Sequence, residues 1–223
     1  MVQYSGRRFF GSGMVAAVFL LAFTGLLSAQ GNPYRLDRAI NLTSEDGLSH
    51  DFVYKIFQDH VGYMWFGTQD GLNRYDGKEF RVHRFDFADP ASLSGNNITA
   101  ICEQDRYYLW IGTRSGRLNR YDPVAENFRR CDEYSEGMDR QGNFPISCLA
   151  HDPRSGILLV GLIRGGLQTY NTRKQRLCLP REPSGRPFPL GVNLGSVLWL
   201  LVTKPGTVWI ATERQGLIGL RWD

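Results

Sequence analysis

The sequence predicts an all-β fold built from repeated blades, each a small antiparallel sheet, and three observations carry that expectation. The phrase WFGTQDGLNRYDG (Trp65–Gly77) returns as WIGTRSGRLNRYD (Trp110–Asp122), with weaker copies from Leu159 (LVGLIRGGLQTYN) and Trp209 (WIATERQGLIGLRWD). Its tyrosine position reads Tyr75, Tyr121, Tyr170 and Leu220, at steps of 46, 49 and 50 residues. Ahead of each copy lies a short apolar stretch (FVYKIFQD, ITAICEQD, ISCLAHD, VLWLLVTK) whose matching residues Ile56, Ile101, Leu149 and Leu200 step by 45, 48 and 51. A near-constant period of this length marks a repeat architecture, in which each unit is one supersecondary motif stacked on its neighbours.

The elements of a unit follow in order. The apolar stretch is short, rich in β-branched and aromatic residues and closed by a turn signal, so it reads as a first strand. MWFGT is the second strand and GLNRY the third. In YDGKEFRVHRF, Asp76-Gly77 is a tight-turn pair leading into an alternating fourth strand. Four short strands in about 50 residues make a β-propeller blade. The small residue recurring at Gly67, Gly112, Gly161 and Ala211 suits a strand covered on both faces, where adjacent sheets approach closely. About four blades are expected, near 44–90, 93–140, 144–190 and 195–223. A β-sandwich is the alternative, but sandwiches do not repeat a thirteen-residue phrase.

The fourth unit stops after its third strand, and Tyr34–Thr43 alternates like an outer strand that would complete it and close a four-bladed ring. An open arc is favoured over that ring, and it leaves Trp199, Leu201 and Trp209 of the fourth blade exposed.

Residues 1–29 read as a secretory signal peptide. Arg7 and Arg8 precede the fourteen-residue apolar run MVAAVFLLAFTGLL, and small residues follow up to a cut after Ala29. An uncleaved anchor and a twin-arginine signal are the alternatives. Residues 30–223 then form the exported partial propeller, placed in the periplasm. Export permits disulfides. Cys102 and Cys148 lie on apolar strands and read as core; Cys131 and Cys178 fall near outer strands of adjacent units, where a bridge is conceivable.

Several functions are disfavoured. A net charge of +4, without a basic run, gives no case for nucleic acid. The four histidines are scattered and no cysteine pair has metal spacing, so neither a metal nor a cofactor is expected. Ser49-His50-Asp51 has the letters of a catalytic triad, but adjacent residues of an extended chain point to opposite sides and cannot form a relay. No catalytic residues are assigned.

The stretch Glu45–Phe85 resembles the two-component regulator propeller repeat: a Gly-Leu-Ser loop, an apolar strand ending in Gln-Asp, Trp-x-Gly-Thr, Asp-Gly-Leu-Asn-Arg-Tyr-Asp-Gly, and an alternating strand. The second unit reads as carrying one inserted residue, Arg117, and as lacking Gly-Leu-Ser; the third and fourth are degenerate. The resemblance implies an N-terminal fragment of a periplasmic sensor region, with seven blades to a ring, so that these four form an open arc. It implies a carbohydrate-like ligand, and the remaining blades and a membrane kinase module as partners if the gene continues. It makes this chain itself no enzyme, since no kinase motif is present. A structural or protein-binding propeller, including a homodimer, is the rival reading, and a propeller lyase a third.

In a four-stranded meander, the loop leading into strand one and the turn between strands two and three open at the same end. The candidate ligand-binding residues are therefore Ser49, His50, Gln69, Asp70, Asn96, Asn97, Arg114, Arg164, Asn193, Glu213 and Arg214. Function on such folds sits in loops of this kind. Arginines recurring at Arg114, Arg164 and Arg214 suit an anionic or hydroxyl-rich ligand, because guanidinium offers several donors in a fixed fork.

Overall fold

A short 3-10 turn at Ser44–Asp46, capped by Thr43, leads into the first sheet. In the computed structural model, residues 39–131, 144–178, 194–204 and 207–221 are described. The proposed signal peptide and most of the proposed closing strand, Tyr34–Arg38, lie outside them. The chain divides into two units, Met1–Asn41 and Leu42–Asp223.

The first blade consists of β1 (Val53–Gln58), β2 (Met64–Thr68), β3 (Gly71–Tyr75) and β4 (Phe80–His83). The second holds β5 (Ile98–Gln104), β6 (Tyr108–Thr113), β7 (Leu118–Asp122) and β8 (Asn127–Arg130). The third holds β9 (Ile146–Asp152), β10 (Ile157–Leu162), β11 (Gly166–Asn171) and β12 (Arg176–Cys178). The fourth has β13 (Val197–Lys204), β14 (Thr207–Thr212) and β15 (Gly216–Arg221). Each sheet is an antiparallel meander in sequence order, the first three four-stranded and the last three-stranded.

The tight turn expected at Asp76-Gly77 spans Asp76–Glu79, between the paired Tyr75 and Phe80, and the Asp76 amide donates to Glu79 O at 3.5 Å. Asp76 organises it by accepting from the Lys78 and Glu79 amides at 2.8 and 2.9 Å, while Gly77 takes the positive φ of 99°.

The joints between blades follow one rule. The small residue of the second strand receives a β-branched side chain from the next blade's first strand. A methyl carbon added at Gly67 would lie 2.8 Å from Ile98 Cγ2, at Gly112 2.5 Å from Ile146 Cγ2, and at Gly161 2.8 Å from Val197 Cγ1. Trp65 then meets Tyr121 of the next blade at 5.3 Å between ring centroids, and Trp110 meets Tyr170 at 4.9 Å. Each joint is a separate apolar cluster: Trp65, Ile98 and Tyr121 in the first; Trp110, Ile146 and Leu158 in the second; Leu159, Val197 and Val208 in the third.

Among the described residues the arc is open: no strand besides β14 pairs with β15, and the outward face of the fourth blade leaves Trp199, Leu201 and Trp209 at 55, 50 and 41% exposure. Phe52 and Ile56 are exposed on the first blade. The Lys55 ammonium of β1 sits 4.3 Å from the Trp199 ring centroid, so the inner strands of the two end blades come within side-chain reach.

Cys102 and Cys148 pack as core residues, and burial pushes both thiols up to about 11. Cys131 is buried in the second joint; the side chain of Cys178, its suggested partner, lies outside the described residues.

Candidate functional site

The loops leading into the first strands and the turns between second and third strands meet at one end of the arc, where backbone hydrogen bonds set their geometry. In every blade the residue that opens the β-turn donates its amide to the residue just before the inner strand: Gln69 to Phe52 (3.1 Å), Arg114 to Asn97 (2.9 Å), Ile163 to Pro145 (2.9 Å) and Glu213 to Ser196 (2.9 Å). Two further bonds cross the joints, Gly71 N–H to Asn96 O at 2.7 Å and Gly166 N–H to Gly195 O at 3.0 Å.

These equivalences re-register the arginines. Gly112 pairs with Leu118, Leu162 with Gly166 and Thr212 with Gly216, whereas Thr68 pairs with Gly71. Three blades thus have the longer turn, and the shorter turn of the first blade is the exception; Arg117 is not a departure peculiar to the second. Arg114 opens its turn, as Gln69 and Glu213 do, while Arg164 and Arg214 stand one residue further on. The second unit also keeps more of the lead-in loop than its letters suggest. Leu93 is buried like Leu48, and the Ser94 amide donates to Asn119 Oδ1 at 2.9 Å as Ser49 does to Asn73 Oδ1 at 2.8 Å. Only the glycine is missing.

The candidate residues fall into groups. At the first joint, Asn96 donates to Asp70 Oδ1 at 3.0 Å and Arg84 pairs with Asp70 Oδ2 at 3.1 Å. At the third joint, Glu213 Oε2 accepts from the Ser196 amide and hydroxyl at 3.2 and 2.7 Å, and Ser196 Oγ accepts the Arg164 amide at 3.1 Å. The Ser196 bonds, with Arg214 and Arg164 nearby, hold the Glu213 carboxyl below its ordinary range. Arg214 lies over Gly195, where a methyl carbon would come 3.0 Å from its Cγ. Arg114, Arg164 and Arg214 are all exposed.

Other candidates serve the scaffold. Ser49 Oγ bonds Thr68 Oγ1 at 2.8 Å and accepts from Asn73 at 2.7 Å, and His50 Nδ1 accepts the Phe52 amide at 2.9 Å. Asn97 Oδ1 is buried without a partner. Asn193 lies outside the described residues. Sequence reasoning missed Arg84, Ser196 and the fully buried pair Asn73 and Asn119; the repeated Leu-Asn-Arg-Tyr was the signal for that pair.

Meander blades stacked in an arc, with their turns gathered at one end, define a repeat propeller. The profile of the two component regulator propeller family matches residues 47–70 and 92–115, the lead-in loop and first two strands of each of the first two blades. Histidine kinase P4 of Formosa agariphila is 38% identical over 81 residues, 36% of this chain and 6% of that protein. Two structures of the extracellular domain of BT4673 from B. thetaiotaomicron, described as a one-component and as a hybrid two-component system, superpose with a TM-score of 0.63. They are 21 and 20% identical, covering 82% of this chain and 23% of theirs. The likeness to them is one of fold, and the chain spans a small part of each relative.

Proposed function

We propose that this arc is the receiving part of an extracytoplasmic two-component sensor, exported by residues 1–29, and that its loop end takes a carbohydrate-like ligand bearing hydroxyl or anionic groups. The observation that carries the reading is the third joint, where two exposed guanidinium groups, Arg164 and Arg214, bear on Glu213. Donors and an acceptor set side by side suit a ligand offering both. Arg114, Gln69, Asp70 and Asn96 extend the proposed surface towards the other blades. Further blades and a membrane kinase module are the partners of this reading.

The test is calorimetric titration with a panel of neutral and uronate oligosaccharides. Arg164→Ala and Arg214→Ala are expected each to weaken an anionic binder by about 1.5–3 kcal/mol, the range for hydrogen bonds to charged groups. Unchanged affinity in both variants would remove the loop end as the site. The rival, a protein-binding propeller, has one observation in its favour, the exposed Trp199, Leu201 and Trp209. A partner competed away by Trp199→Ser but indifferent to the arginines would support it.

A further inference from the structure

At the end of the blades opposite the loops, a cavity of about 470 Å³ opens between the first and second blades. Its floor is apolar and fixed. Trp65, Leu109 and Tyr121 are all buried, and Asp59 holds the β1–β2 turn above them. Asp59 Oδ2 accepts from Trp65 Nε1 at 2.7 Å, and Oδ1 accepts the amides of Val61, Gly62 and Tyr63 at 3.1, 2.9 and 2.9 Å. Two polar ties span the blades around it. His60 Nδ1 meets Glu103 Oε1 at 2.6 Å, and Glu126 Oε1 meets Arg81 at 2.5 Å and Arg74 at 3.6 Å.

One group in this cavity is unfinished. Tyr121 is completely buried, lines the cavity, and its hydroxyl proton has no acceptor. Arg74 stands beside the phenol oxygen both as a charge and as a hydrogen-bond donor, but a guanidinium only donates, so it cannot accept the phenolic proton. A buried polar group left unpaired is costly and calls for an explanation. At the next joint the equivalent Tyr170 has the Cys131 thiol as its hydrogen-bonding neighbour. The open valence therefore belongs to the joint with the cavity, not to the repeat.

The lining specifies what would fill it. Arg74 and Arg106 face Asp59, Glu103 and Glu126 in the lining, and Arg81, outside it, pairs with Glu126, so neither sign of charge dominates the site. It presents donors beside acceptors, and the 39%-exposed Tyr107 ring offers an aromatic face, while the Tyr63 face is taken by Arg74 at 4.8 Å. We propose that this cavity is a second binding site, for an uncharged ring compound bearing hydroxyl groups. One hydroxyl accepts from Tyr121 or Arg74, another donates to Glu103, and the apolar ring face lies on Tyr107. A hydroxyl both donates and accepts at the same atom, which suits a site presenting donors beside acceptors. The site is independent of the loop end.

The experiment is an NMR titration of the whole chain with indole-labelled tryptophan, using glucose, galactose and myo-inositol as probes and inorganic phosphate and glycine as charged controls. At least one ring probe is expected to shift the Trp65 indole signal saturably, while phosphate and glycine leave it in place. Tyr121→Phe keeps the ring in the core and is expected to weaken the probe several-fold. Glu103→Gln should weaken it about tenfold, as for loss of a charged hydrogen-bond acceptor, and Lys174→Ala, exposed on the third blade and in neither site, should change nothing. The proposal is overturned if no ring probe moves Trp65, if phosphate moves it equally, or if Tyr121→Phe, with an unaltered spectrum elsewhere, binds as the parent does.

Discussion

Replacing Gly112 by alanine tests the rule that sets the distance between blades. The added methyl carbon would stand 2.5 Å from Ile146 Cγ2, 2.9 Å from Ile146 Cβ and 3.2 Å from Ala100 Cβ. Carbon atoms prefer about 3.5–4.0 Å, so roughly 1 Å must be found. Ile146 cannot easily supply it, since it is β-branched, stiff at its first torsion and buried in the second joint. The blades must shift instead, and overpacking of this kind costs about 1–3 kcal/mol. Urea unfolding followed by tryptophan fluorescence should show a lower midpoint at unchanged slope. Ile146→Ala alone should cost about 2–5 kcal/mol through the cavity it leaves. Together the two changes should cost less than their sum by more than about 1 kcal/mol, because the new methyl occupies space the isoleucine vacated. Ala211→Gly is the control, at a position whose outward neighbour is missing among the described residues; only the backbone effect of about 0.5–1 kcal/mol is expected. A Gly112→Ala protein within about 0.5 kcal/mol of the parent, or strict additivity in the pair, would refute the reasoning.

Burial, with Arg81 and Arg74 nearby, pushes His83 down from 6.5 to about 4, so it is neutral in the fold. Between those values the unfolded chain takes up a proton that the folded chain refuses, and stability should fall by up to about 3 kcal/mol as pH drops from 6.5 to 4. His83→Phe should flatten that slope without abolishing it, because burial lowers His151 as well; an unchanged profile in urea titrations across the range would count against the assignment. Cys102 and Cys148, with thiols pushed up to about 11, should resist iodoacetamide at pH 8 until the chain is unfolded. Peptide mapping that finds either one alkylated in the native protein would contradict that. Asp59→Ala strands three amides and the Trp65 indole together, and a loss of at least about 2 kcal/mol in unfolding free energy is expected; a near-neutral result would mean water replaces the carboxylate.

The blades were legible because burial in a meander is periodic and a repeat multiplies the signal. Trp65 and Trp110, and Gly67 and Gly112, are the same position read twice. The outward exposure of Trp199, Leu201 and Trp209 followed from the same reading. Turn lengths were harder. Taking the first copy as the standard made Arg117 look like an insertion, and only the pairings Gly112–Leu118, Leu162–Gly166 and Thr212–Gly216 show that the longer turn is the common one. The loop end was legible as a place and not as a set of contacts. Glu213 and Ser196 are neighbours because a backbone bond folds one over the other, which no spacing announces. The cavity under Trp65 was invisible for a similar reason. Its walls come from two blades, and the feature that distinguishes it is a missing acceptor for the Tyr121 proton, whereas Tyr170 at the matching position has the Cys131 thiol beside it.

The joints also have a direction. Each blade carries a socket on one face, the small residue of its second strand (glycine in the first three), and a plug on the other, the β-branched residue that starts its first strand. A copied unit brings both, so such an array lengthens by tandem duplication without inventing any new complementarity. The fourth socket is half filled by the methyl of Ala211, which narrows what can enter it. A plug there must be slimmer than the isoleucines of the first two joints, and valine, which opens the first strand at Val53 and fills the third joint at Val197, is the size that such a gauge admits.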